Sequence, residues 1–336
     1  MMDDVLTTQL CGTCDAPGRF SLSPRTLPAS APEGWRLVDI AAIGICGTDY
    51  HIFEGKHPYL EYPRVIGHEL GGRLADGPDA GRIVAINPYL SCGTCRACRR
   101  GKPNCCMKIE VLGVHRDGGM CARIAVPVGN IVPADGLSEI QAAMVEFLAI
   151  GAHAVARSKL SAGDRVLVTG AGPIGLGTAL FARAEGAEVH LLDRSAARLA
   201  QARDRFGFSD THLTGSDILT GERADGFDAI FDATGSAAAI EAGFPLLAHG
   251  ATYTLVSVVK NDITFSDPEF HKREARIIGS RNALAADFAR VIAAIRGGEI
   301  DTGALLSEVV PLTDLPDRFA GLASDRETII KIAVTP

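Results

Sequence analysis

The feature that most constrains this chain lies near its middle. There Arg165-Val-Leu-Val168 runs into Gly170-Ala171-Gly172-Pro173-Ile174-Gly175 and then into an alanine-rich stretch ending at Glu185. A β-branched run, a glycine turn and a helical run in succession predict a strand, a tight turn and a helix of a doubly wound α/β unit. The three glycines answer separate steric demands: the turn itself, close approach of backbone to a pyrophosphate, and close packing of helix on strand. Amide groups at the helix start, with the positive end of its dipole, then receive the phosphates. Asp193 closes the next strand, Glu188-Val-His-Leu-Leu192, about 20 residues on, where a carboxylate accepts the ribose hydroxyls of NAD and repels the extra phosphate of NADP. Arg194, next to it, offers a cation to that phosphate, so NAD is the expected cofactor and NADP the alternative. Arg198 and Thr234 complete the expected cofactor set. The competing reading is a plain α/β turn with Asp193 capping a helix.

The same alternation continues downstream. Strands are expected at 229–231, 252–256 and 277–278, with helices at 196–205, 236–247 and 287–295. Residues before about 147 read differently, as short β-branched segments such as 82–86 and 123–126 broken by glycine and proline, the texture of a β-rich domain. The expected division is 1–147, 148–282 and a segment 283–336 of mixed short elements ending in 328–334. With 336 residues there is length for two domains at about 150 residues each. Lysine and arginine number 33 against 40 acids, a net charge of -7, so neither nucleic acid nor an anionic membrane surface is an expected partner. The apolar stretches 142–150 and 166–180 are too short or too glycine-rich to span a bilayer, and Met-Met-Asp-Asp lacks the positive charge that opens a signal peptide. The cytoplasm is the expected location.

Cysteine use points the same way. Nine cysteines include five between Cys92 and Cys106, too crowded for a disulfide framework and suited to metal in a reducing compartment. Cys92, Cys95, Cys98 and Cys106 have the spacing C-x2-C-x2-C-x7-C, which lets one loop wrap four thiolates around a tetrahedral zinc with no open position, a structural site. Arg99 and Arg100 soften its negative charge. Cys105 is read as a bystander, and Cys11-x2-Cys14 has no second pair nearby.

Two further segments, Ile45-Cys46-Gly-Thr48-Asp49-Tyr-His51 and Gly67-His68-Glu69, lack the spacing of a one-loop metal site. Taken together with the four-cysteine lobe and the glycine turn, in this order, they make the chain similar to the zinc-dependent medium-chain alcohol dehydrogenases over nearly its whole length. Tyr62-Pro-Arg-Val-Ile-Gly-His68, Val111 to Gly119, Ala149 to Val155, Phe265 to Lys272 and Gly279-Ser-Arg-Asn282 most resemble the bacterial polyol and sugar-acid 5-dehydrogenase branch.

The resemblance implies a Rossmann domain beside a GroES-like catalytic domain to which the C-terminal segment returns. It also implies a second, catalytic zinc bound by Cys46, His68 and an acid, either Glu69 or Glu146, with one position left open. An alcohol gives up its proton near neutral pH only when a cation sits on its oxygen. Thr48 would take that proton and pass it through the cofactor ribose to His51, and Asp49 would orient His68. A sugar-acid carboxylate needs a cation in the pocket, for which Arg281 is the first candidate and Lys272, His115 and Arg116 the others. The expected reaction is NAD-linked oxidation of a secondary alcohol in a sugar acid or polyol by a homo-oligomer, dimer or tetramer. Sorbitol-like or threonine-like substrates and a non-catalytic NAD-binding relative are the alternatives. The sequence departs from the family pattern at Met120 and Phe147, and in a short segment between Gly72 and Gly81, the first two of which are expected to reshape the pocket.

Overall fold

The computed structural model describes residues 7–57 and 60–336. The chain divides into two compact units, residues 1–146 with 284–336, and residues 147–283, one residue from the expected boundaries.

In the second unit, six strands pair in the order Thr211–Leu213, Glu188–Asp193, Arg165–Thr169, Phe227–Asp232, Leu247–Leu255 and Arg276–Gly279. Every pairing is parallel. Val166, Leu167 and Val168 of the central strand are fully buried, as expected where helices cover both faces of a sheet. Chain order reverses between Arg165–Thr169 and Phe227–Asp232, the topological switch point at which such sheets receive ligands. The turn leaving Arg165–Thr169 leads into helix Pro173–Ala184, with Gly172 at its N-cap and proline in the first turn, where the missing N–H costs nothing. The expected helix over 236–247 is shorter: Ala237–Gly243 gives way to a 3-10 turn, Phe244–Leu246, and a strand begins at Leu247. Pro245 explains the change, since its ring and missing N–H prevent the α-helix from continuing.

The first unit is built on a seven-stranded sheet whose path runs Ile131–Pro133, Ile83–Ile86, Glu69–Leu74, Trp35–Ile45, Lys331–Thr335 and Leu306–Pro311, with Arg123–Pro127 pairing to Trp35–Ile45 off that path. Strand Trp35–Ile45 therefore lies between Glu69–Leu74 and Lys331–Thr335, with Gly44 opposite Glu69 and Ile45 opposite Ile332. A smaller sheet joins Arg19–Thr26, Thr8–Ala16 and Arg64–Val65. The core between them holds Ile43, Ile52, Ile66, Leu70, Met120 and Phe319. Met120 and Phe147, the two departures from the family pattern, are both fully buried, so their side chains serve packing. Among the described residues no helix is long and apolar enough to cross a membrane.

Candidate active site and metal centres

The first metal-ligating group sits on the loop expected for it. The sulfurs of Cys92, Cys95, Cys98 and Cys106 all lie within 4.8 Å of one another. Cys106 is buried and Cys105 exposed, so the structure selects the same fourth cysteine as the spacing. Backbone amides already point at the sulfurs: Cys92 N donates to Cys106 Sγ at 3.3 Å, Cys95 N to Cys92 Sγ at 3.4 Å and Lys108 N to Cys106 Sγ at 3.3 Å. Such donors favour thiolates. The Thr94 hydroxyl and the amides of Thr94 and Cys95 bring the Cys92 thiol down to about 6, whereas burial pushes Cys98 up to about 11. Four gathered thiols with preset N–H donors fit a closed tetrahedral zinc. Cys11 and Cys14 do not form such a group: both are buried on strand Thr8–Ala16, and burial pushes the Cys14 thiol up to about 12.

The second group joins Cys46, His68 and Glu69, whose ligand atoms also lie within 4.8 Å of one another. They come from segments far apart in sequence, and Asp49 draws them together. Fully buried, Asp49 accepts from Cys46 N at 2.9 Å through one oxygen and from Gly67 N at 3.3 Å through the other. One carboxylate thus fixes the backbone on both sides of the site. Its second oxygen faces His68 Nδ1 at 3.6 Å, longer than a hydrogen bond, so Asp49 acts on His68 mainly through charge and through the loop it anchors.

Two residues at this site carried no sequence signal. Lys331, 2% exposed and the only buried lysine or arginine among the described residues, donates from Nζ to both carboxylate oxygens of Glu69, at 2.7 and 2.8 Å, and to Ile45 O at 3.2 Å. Tyr89 donates its hydroxyl to Glu146 Oε1. The carboxylate of Glu146 stays outside the three-residue group, and burial pushes its pKa up to about 7.

Electrostatics supply the test for a metal. Cys46, Asp49, Glu69 and Glu146 bring four acidic groups into one interacting set, opposed by Lys331 and by His68 when it carries a proton. Burial disfavours charge on His68, yet Asp49 and Cys46 outweigh it and raise its pKa well above the usual histidine range. A proton on His68 thus meets the surplus negative charge where a cation would otherwise sit, and thiolate, imidazole and carboxylate together suit zinc.

Helix Gly47–Phe53 leads outward from this group. Cys46 Sγ lies 3.8 Å from Thr48 Oγ1; Thr48 is half-buried and His51 exposed.

In the second unit the glycine turn has the shape a pyrophosphate requires. Gly170 adopts φ +94°, a Cβ at Gly175 would collide with Gly170 O, and a Cβ at Gly172 would meet only an Arg198 nitrogen at 3.8 Å. Asp193 is buried and more committed than its sequence position suggested. Its oxygens accept from Ala171 N at 2.6 Å and Ser195 N at 2.8 Å, and Arg198 lies 3.8 Å away. It braces the turn and holds the amide of Ser195, the N-cap of the next helix, while remaining able to accept from a sugar hydroxyl. Arg194 is exposed beside it, and Thr234 donates its hydroxyl to Asp232 at 2.6 Å.

Of the substrate candidates, His115 and Arg116 are exposed in the first unit, and His115 Nδ1 accepts from Val111 N at 3.1 Å. Lys272 and Arg281 are exposed in the second unit, and Lys272 lies 4.0 Å from Glu269.

Comparison with known proteins identifies the family. Residues 32–136 match the alcohol dehydrogenase GroES-like domain family and residues 173–296 the zinc-binding dehydrogenase family. L-galactonate-5-dehydrogenase of Escherichia coli strain K12 is 39% identical over 333 residues, 96% of this chain and 97% of that protein. An alcohol dehydrogenase of E. coli CFT073 solved with NADH is 28% identical, with a TM-score of 0.91 covering 98% of this chain and 100% of that one. A putative zinc-binding dehydrogenase of Sinorhizobium meliloti 1021 bound to NADP is 26% identical, with a TM-score of 0.90 and the same coverage. The chain therefore belongs to the zinc-dependent medium-chain alcohol dehydrogenases, oxidoreductases that pass a hydride between an alcohol and a nicotinamide dinucleotide.

Proposed function

We propose that this protein oxidises a secondary hydroxyl of a sugar acid or polyol, of the L-galactonate or L-gulonate kind, to the keto product with NAD. The buried Cys46, His68 and Glu69 group, with more acid than Lys331 neutralises, carries the reading because it calls for a cation at the place where the chemistry needs one. Similarity to an L-galactonate 5-dehydrogenase over nearly the whole chain supports the substrate class. Zinc in this group supplies a Lewis acid that lets an alcohol lose its proton near neutral pH, and NAD supplies the hydride acceptor.

The chain's own residues do the rest. Cys46, His68 and Glu69 hold the metal, with Lys331 balancing the carboxylate from behind. Glu146, fixed by Tyr89 and pushed to about 7 by burial, is left to hydrogen-bond water or a substrate hydroxyl. Thr48 accepts the alcohol proton and His51 delivers it to solvent, an order that follows their increasing exposure along helix Gly47–Phe53. Gly170, Gly172, Pro173, Ile174, Gly175 and Asp193 hold the dinucleotide, with Arg194, Arg198 and Thr234 around it. Cys92, Cys95, Cys98 and Cys106 hold a structural zinc. Nine free thiols, four of them gathered for metal, suit a reducing compartment such as the cytoplasm.

A panel of hexonates, hexitols, pentitols and threonine, followed by NAD reduction in zinc-replete enzyme, tests the proposal. A hexonate should give the highest kcat/KM, and a hexitol or threonine ahead of every hexonate would overturn the substrate class.

A further inference from the structure

The helix that carries Thr48 and His51 is held from outside by a residue with no part in the chemistry proposed above. Arg326 lies just after helix Leu315–Ser324, more than 270 positions beyond Glu54 in sequence. Its Nε donates to Ala323 O at 2.9 Å, one terminal nitrogen donates to Glu54 Oε1, and the guanidinium carbon sits 5.3 Å from the centre of the Tyr50 ring. Tyr50 and Phe53 both pack on Phe319 of the same C-terminal helix, at 5.8 and 5.2 Å between ring centres. Glu54 follows the helix directly and returns its amide to Tyr50 O at 2.9 Å, while Lys56 N donates to His51 O at 2.8 Å. Tyr50 and Glu54 thus bracket His51, and Glu54 lies three residues on, on the same helical face.

We propose that Arg326 is a positioning residue for proton release at His51: clamped on Glu54 and Tyr50, its guanidinium fixes the end of helix Gly47–Phe53, the turn that carries His51. The inference rests on the role given to His51 above. Although the His51 residue is exposed, partial desolvation of its ring lowers its proton affinity and the charge of Arg326 lowers it further; Glu54 opposes them and Lys56 adds to the lowering, and His57 also interacts with His51. Arginine suits the position because one group lies over Tyr50 while its nitrogens reach two acceptors.

The test is the titration of the His51 ring by NMR in zinc-loaded protein without NAD, set beside the pH profile of kcat for alcohol oxidation. Arg326→Gln should raise the His51 midpoint by about half to one pH unit, the effect of losing one unit charge at intermediate range. Oxidation needs neutral His51, so the acid limb of the kcat profile should move up by the same amount. Glu54→Gln should move both downward, and Arg326→Lys, which keeps the charge, should restore most of the shift. In a His51→Gln background Arg326→Gln should leave the acid limb where it was. A His51 midpoint that stays within about 0.2 of wild type in Arg326→Gln and Glu54→Gln overturns the proposal, leaving Arg326 as a structural clamp only. A midpoint that moves without the acid limb instead overturns the role of His51, and the catalytic meaning of Arg326 with it.

Discussion

Lys331 offers a demanding test of how this site is assembled, because its surroundings permit a magnitude. All three ammonium protons are committed, two to Glu69 and one to Ile45 O, and both partners of the ion pair are essentially without solvent. Lys331→Met keeps the approximate shape and removes the charge, leaving the Glu69 carboxylate buried. Breaking a buried pair in this way costs about 3–5 kcal/mol, and about 3 is expected in zinc-replete protein, where a cation still faces the freed carboxylate. A loss of that size is a large part of a typical stability of about 5–15 kcal/mol. The single tryptophan, Trp35, begins the strand that runs between Glu69 and Lys331, so its fluorescence reports the affected sheet. With a urea slope of roughly 2–3 kcal/mol/M, the midpoint should fall by roughly 1 M. Adding Glu69→Gln to Lys331→Met removes the stranded charge and should recover at least half of the loss. A midpoint shift below about 0.3 M in the single variant, or no recovery in the double, would refute the electrostatic account.

Three further outcomes separate the remaining roles. Metal analysis should give two zincs per chain in wild type and one in both Cys46→Ser and Cys95→Ser, but only Cys95→Ser should lower the thermal midpoint and soluble yield while Cys46→Ser loses turnover alone; one zinc or none in replete wild type contradicts the pair of centres. Asp193→Ser should raise the NADP to NAD ratio of kcat/KM, and because it also removes two acceptors from the Ala171 and Ser195 amides it should lower stability by about 1–3 kcal/mol; wild-type enzyme that already prefers NADP would mean that Arg194 and Arg198 govern the choice. Arg281→Ala should raise KM for a hexonate at least tenfold more than for the matching hexitol, since only the hexonate brings a carboxylate, and equal loss on both would remove Arg281 from substrate recognition.

How much was legible in the sequence follows from how each feature is encoded. The glycine turn and the cysteine lobe are local: their geometry is a matter of neighbours within a few residues, so spacing alone identified Gly170, Gly172 and Gly175 and chose Cys106 over Cys105. The central strand announced itself as the apolar run Val166 to Val168, as expected where a sheet is covered on both faces, and the others through their alternation with helical stretches. The helix over 236–247 failed locally, at Pro245, a signal present in the sequence and outweighed by alanine content. The charges behind the catalytic group were invisible for a different reason. Lys331 meets Glu69 across 262 positions and Tyr89 meets Glu146 across 57, and no periodicity relates residues that only the folded chain brings together.

Gly44 shows how such a contact leaves a trace that can be read only afterwards. A glycine inside a strand sacrifices packing and order and ordinarily marks a bulge or a close approach. In Ile43-Gly44-Ile45 it looks like part of the run leading to Cys46. Yet Gly44 occupies the strand between those of Glu69 and Lys331, and a Cβ there would collide with Glu69 Oε2. The missing side chain makes room for the carboxylate to turn toward Lys331 while its ligand atom remains within 4.8 Å of those of Cys46 and His68. One absent methyl group thus leaves a single acid able to offer one oxygen to a metal while facing an ammonium, an arrangement by which a buried site holding several carboxylates can keep its charge in balance.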